Sequence, residues 1–122
     1  MINVNHVVQE FLIKKKYMVK EKIICSAIWY KDLDVKKELP IETFLPKNCD
    51  KGVVFCGFRH GQCLYSMVSI YGLKQHEAGE EVQGFLTNKN RFVDREEGAI
   101  IFIENGGKLK YSTNLLYSED LY

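Results

Sequence analysis

The chain has 122 residues, 46% of them hydrophobic, which suffices for one compact core and leaves too little for a second independent domain. A formal charge of +1 excludes the strong field that draws proteins onto duplex nucleic acid or an anionic membrane surface. No run of eighteen apolar residues occurs, and residues 1–11 lack the basic-then-apolar pattern of a secretory signal, so a soluble cytoplasmic protein is expected.

In chain order, Val4, Val7, Val8, Phe11 and Leu12 recur at helical spacing, and Lys14, Lys15 and Lys16 follow where a helix C-terminus favours cations. Residues 1–17 therefore read as a leading helix. In residues 19–30, Ile23, Cys25, Ala27 and Trp29 alternate with Ile24, Ser26, Ile28 and Tyr30, which predicts a strand packed on two sides. Residues 31–51 carry dense charge, Pro40 and Pro46, and turn chemistry at Asn48, Asp50 and Gly52; they read as a surface loop. Residues 53–58 predict a buried strand, and Leu64, Met67, Val68 and Tyr71 then mark a helix that Gly72 stops. Residues 82–87 and 91–93 predict a hairpin around Asn88, Lys89 and Asn90.

Asp94, three before Glu97, is placed to cap a helix over residues 95–105 that Gly106 and Gly107 end. The centre of that helix, residues 99–103, is apolar on nearly every side, more than one sheet face can bury, and predicts a second protein surface, most simply another copy of the chain. Leu115, Leu116, Tyr117, Leu121 and Tyr122 make the tail too apolar to be free, so docking is expected. The fold expected is α+β: a single small domain over residues 1–122, with an antiparallel sheet core packed with two or three helices and a helix-mediated homo-oligomer. Cys25, Cys49, Cys56 and Cys63 show no C-x-x-C spacing and read as free, mostly buried thiols.

Fourteen lysines stand against three arginines, Arg59, Arg91 and Arg95, all at the ends of predicted strands or the starts of predicted helices. Arginine presents a rigid fork that pairs bidentately with phosphate, whereas a solubilising charge can as well be lysine. The plainer alternative is ion pairing to Glu77, Glu80 or Glu96. Arg59-His60-Gly61 falls on a strand-to-helix turn, where free N–H groups favour an anion and a glycine permits close approach. His60 is open to phosphate contact, acid–base work or capping of its own helix, capping being favoured.

Phe85 and Phe92 bracket a hairpin carrying Asn88, Asn90 and Arg91, so aromatic faces and amides could converge on a purine and a ribose. Core packing is an equal alternative for each; for Phe85 the stacking role is preferred, because it alternates with Val82, Gly84 and Leu86 on the opposite face. His60 and Cys63, with Cys56 and His76, lack metal-site spacing, and Cys56 or Cys63 with His60 lacks the carboxylate or glycine elbow of a nucleophilic site. No metal, cofactor or catalytic residue is expected.

Gly57-Phe58-Arg59-His60-Gly61, Ala78-Gly79-Glu80, Gln83-Gly84-Phe85-Leu86-Thr87-Asn88, Asn90-Arg91-Phe92-Val93-Asp94-Arg95-Glu96-Glu97 and Leu116-Tyr117-Ser118-Glu119-Asp120-Leu121-Tyr122 occur in order. With Ile24-Cys25-Ser26-Ala27-Ile28, these words resemble the type 1 Thoeris anti-defence family, phage sponges for cyclic ADP-ribose isomers made by bacterial TIR-domain enzymes. The resemblance covers most of the chain except the leading helix and residues 31–51; an extra N-terminal segment and Gly98, where alanine is common, depart from it. It implies sequestration without cleavage, by homodimers assembling into a hexamer with interface pockets. On matching positions, it has Phe85 stack on adenine, Asn90 and Asp94 meet ribose, and Arg91 and Arg95 hold the diphosphate. It further implies a separate site for cyclic di- or trinucleotides of the CBASS system, to which Arg59 is assigned. The rival readings are a hydrolase or phosphodiesterase using His60, and a host-protein-binding inhibitor.

Overall fold

A computed structural model describes residues 5–10, 20–35, 40 and 44–122. Residues 5–10 are helical, in accord with the leading helix; its remainder, and residues 36–39 and 41–43 of the expected loop, lie outside the described residues. The strands are β1 (Ile23–Tyr30), β2 (Val53–Gly57), β3 (Glu81–Thr87) and β4 (Phe92–Asp94), and the helices that follow residues 5–10 are α1 (His60–Tyr71), α2 (Arg95–Glu104) and α3 (Ser118–Leu121). All pairings are antiparallel, in the order β2-β1-β3-β4, so the fold is α+β with a four-stranded sheet.

Register decides which residues meet the helices. Ser26 pairs with Gly57 and Phe85, Ile28 with Phe55 and Gln83, and Phe85 with Val93, so these residues share one face. Both long helices lie on that face. Cys63 and Met67 of α1 pack on Ile28 and Tyr30, while Ala99 and Ile101 of α2 pack with Phe85, Val93 and Leu116. Gly98 makes the second contact close, since a Cβ there would sit 3.0 Å from Phe85 Cδ2 and 3.3 Å from Leu116 Cδ2.

The opposite face carries Ala27, Trp29, Val54, Val82, Leu86 and Phe92. Residues 44–50, expected as an exposed loop, contribute Leu45 and Cys49 to this second core, at 3% and 4% exposure. They are held against β4: the Asn48 side chain accepts from Phe92 N at 2.8 Å and donates to Phe92 O at 2.7 Å. Lys47 N donates to Asn90 O at 2.8 Å.

Local signals end the elements where expected. Gly72 adopts a left-handed conformation, φ 66°, and its N–H closes on Val68 O. Asp94 caps α2 by accepting from Glu97 N at 2.8 Å. Ile100 and Ile103 remain 59% and 51% exposed, so α2 does present an apolar outer face. The tail docks: Leu116, Ser118 and Asp120 are buried, and the Asp120 carboxylate accepts from Lys110 N and Tyr117 N. Of the cysteines only Cys49 and Cys63 are buried; Cys56 is exposed and Cys25 half-buried, which corrects the expectation of mostly buried thiols. The reason is that α1 and α2 both pack on the other face of the sheet from Cys25 and Cys56.

Candidate functional site

The starts of α1 and α2 meet beside β3 and the tail, and there the chain gathers its most unusual polar groups. His60, 9% exposed, points across the sheet: its Nε2 lies 2.8 Å from Gly84 O and its ring meets Phe85 edge-on, centroids 5.2 Å apart. The Nδ1 atom faces Arg95 Nη2 at 3.5 Å. A carbonyl at Nε2 and a guanidinium at Nδ1 select the neutral tautomer with the proton on Nε2. Burial, reinforced by the Arg95 charge, holds the imidazole below its ordinary pKa. Capping was therefore the wrong reading of His60: it ties α1 to β3, and neither ring nitrogen is left for proton transfer.

Arg95 is half-buried and fully engaged with neutral groups. It donates to Leu116 O at 2.8 Å and Gln83 Oε1 at 2.7 Å, and its guanidinium lies 4.6 Å over the Tyr117 ring. Burial lowers its pKa, with Tyr117 and Glu119 acting in the opposite direction. Arg59 donates to Ser118 O, and to the terminal oxygen of Tyr122 at 3.2 Å, and lies over the Phe58 ring at 4.4 Å. Phe58 and Tyr122 are themselves stacked, centroids 4.6 Å apart. Gly61, in the first turn of α1, is exposed, with no heavy atom within 4 Å of where a Cβ would be.

Arg91 stands in contrast. It makes a bidentate pair with Glu21, at 2.8 and 2.9 Å, and a further bond to Glu97 at 2.7 Å. Its partners are neither Glu77, Glu80 nor Glu96, but it is ion-paired all the same, and in this structure carboxylates occupy the fork assigned to a diphosphate. The pair holds the Glu21 carboxyl at about 2, against an ordinary 4.5, chiefly through the Arg91 hydrogen bonds. A carboxylate with a depressed pKa stabilises the fold above its unfolded value and loses that contribution as pH falls toward the folded value. Glu21→Gln is accordingly expected to flatten the loss of stability between about pH 5 and about pH 2, read as urea midpoints across that range; a slope unchanged from the native chain would show that the pair contributes nothing.

Two other expected site residues take structural positions. Phe85 is 0% exposed, sealed by α2 and Leu116, so it has no face to offer a base; it is core, and the stacking role is corrected on that ground. Asp94 uses its carboxylate to cap α2. Asn90 sits at a left-handed turn position, φ 56°, on the hairpin tip. Its side chain borders a groove of about 190 Å³ with Phe44, Leu45, Pro46, Val54, Cys56 and Leu86, on the sheet face opposite Arg95. The residues brought together are thus Arg59, His60, Gly61 and Arg95. Asn90, Arg91 and Asp94 have other duties.

Gln83, Tyr117 and the tail carbonyls were missed. Gln83 could have been found, since it shares a strand face with Phe85; the carbonyls of residues 116 and 118 had no signal in side-chain identity. Among the described residues no group of three His, Cys, Asp or Glu could hold a metal ion, and no helix is long and apolar enough to cross a membrane.

A family model described as Phage T4 y16D protein matches residues 22–122. The chain belongs to the phage T4 y16D protein family. The match takes in all four strands, both long helices and the docked tail, and so the whole junction of Arg59, His60 and Arg95. No curated protein and no solved structure matches.

Proposed function

We propose that this phage-family protein binds and holds a phosphate-bearing nucleotide signal of the cyclic ADP-ribose type in the host bacterial cytoplasm, without cleaving it. One observation carries the reading. Among the described residues, Arg91 is satisfied by carboxylate side chains, whereas Arg95 faces a main-chain and an amide oxygen, Arg59 faces Ser118 O and the terminal oxygen of Tyr122, and both stack on aromatic rings. The acceptors of Arg95 are neutral oxygens, with no hydrogen bond to a carboxylate side chain among the described residues, and Arg59 sits at the first turn of α1 beside the exposed Gly61; phosphate oxygens are the acceptors to which such forks bind most strongly.

The site is therefore assigned to Arg59, His60, Gly61 and Arg95, with Tyr117 and the stacked Phe58 and Tyr122 as the aromatic surfaces near it. It keeps Arg95 from the set implied by the resemblance and leaves out Phe85, Asn90, Arg91 and Asp94. The engagement of both His60 nitrogens favours holding over hydrolysis. Exposed Ile100 and Ile103 support the further proposal that α2 pairs two copies; equilibrium sedimentation of the native chain tests it, a monomer at all concentrations being the contrary result.

The deciding experiment incubates the purified chain with cyclic ADP-ribose isomers, removes free ligand, denatures the protein by heat and identifies what is released by chromatography with mass detection. Intact ligand in proportion to protein is the expected result. Conversion to linear ADP-ribose would make the protein an enzyme, and no retained ligand would overturn the proposal.

A further inference from the structure

The sheet face opposite α1 and α2 carries, on β1 and β2, two thiols that no role described so far explains. Ala27 pairs with Cys56 across β1 and β2, so Cys25, two residues from Ala27, lies on the same face as Cys56 and diagonal to it. Each thiol shifts the ionisation of the other. Cys56 is exposed and Cys25 half-buried, so a small reagent can reach both.

We propose that Cys25 and Cys56 form a redox-active dithiol that closes reversibly to a disulfide. The Cys56 S–H, together with the Gly57 N–H, favours the Cys25 thiolate and holds this thiol at about 7, while Cys56 is pushed up and stays protonated as its donor. Cys49 and Cys63 are buried in apolar surroundings, both pushed up to about 11, and remain inert. The pair thus divides into an attacking thiolate and a resolving thiol.

The co-reactant is a small-molecule disulfide such as oxidised glutathione. The Cys25 thiolate attacks one of its sulfurs, the S–S bond breaks, and one glutathione thiolate leaves. Cys56 then gives up its proton and attacks Cys25 Sγ, expelling the second glutathione. Two protein thiols are oxidised and one disulfide is reduced to two thiols. Diagonal neighbours in an antiparallel pair stand farther apart than a relaxed disulfide requires, so closure pulls on the end of β2 at Gly57, and the resulting strain makes the bond easy to reduce.

The test treats the reduced full chain with oxidised glutathione, digests it without reductant and maps the peptides by mass. The expected result is a loss of two hydrogens, a cross-link between the Cys25 and Cys56 peptides, and reversal by dithiothreitol. Iodoacetamide at neutral pH should modify Cys25 at least about tenfold faster than Cys49 or Cys63. In Cys56→Ser the reaction should stop at a stable glutathione adduct on Cys25. Glutathione accumulating on Cys56 without a cross-link, or equal labelling of all four thiols, would overturn the proposal.

Discussion

Gly84→Ala is expected to destabilise the protein by about 3 kcal/mol or more. Gly84 lies mid-strand in β3, paired with Ala27 on one side and Asp94 on the other. A Cβ there would collide with the Val93 carbonyl oxygen and come within 2.8 Å of Phe92 Cζ. Neither obstacle is the free end of a flexible chain: one is backbone in the ladder and the other a ring 5% exposed. Relief would require β3 and β4 to separate, and Gly84 O is also the acceptor for His60, so the start of α1 would be disturbed as well. Thermal unfolding should show a fall in Tm of roughly 10 °C or more. Gly61→Ala is the control: with open space around it and a helical position, it should be neutral or stabilising by up to about 1 kcal/mol. Equal Tm values for the two variants would refute the packing argument.

Arg95→Ala should weaken retention of a cyclic ADP-ribose-type ligand by about a hundredfold, the equivalent of losing charge-assisted hydrogen bonds worth about 3 kcal/mol. The same substitution should lower stability by about 2 kcal/mol, because Gln83 Oε1 and Leu116 O lose their donor in a half-buried place and Tyr117 loses its stacked cation. The two effects separate experimentally. Binding is measured by calorimetry well below the variant's own Tm, where the folded fraction is complete. Arg95→Lys keeps the charge but cannot span Gln83 and Leu116 as a planar fork does, so it should recover part of the binding and little of the stability. A folded Arg95→Ala with native affinity would remove this residue from the site.

The strands and helices were legible because their signals are local. The alternation in β1, the hairpin turn at Asn88 to Asn90, the Asp94 cap and the Gly72 stop each depend on residues a few positions apart. The site was not, for two physical reasons. The first is distance along the chain: Glu21 reaches Arg91 across 70 positions and Leu116 reaches Arg95 across 21, and neither partner carries a periodic signal that points to the other. The second is that alternation sorts residues onto two faces without saying which face the helices cover. Phe85 was correctly set apart from Val82, Gly84 and Leu86, yet its face is the one under α2, and so it is core. The arginines were legible as unusual in placement; their division into one ion-paired and two carbonyl-facing residues was not.

The Asn48 amide answers a question that the sheet itself leaves open. β4 is the outermost strand, and its Phe92 N–H and C=O face away from β3, where an exposed strand edge would accept a strand from any passing chain. Asn48 fills both positions with one side chain, a single-residue substitute for a fifth strand. Fibre growth by edge-to-edge pairing is thereby blocked at that margin, and the safeguard against aggregation comes from residues 44–50, which add no strand of their own to the sheet.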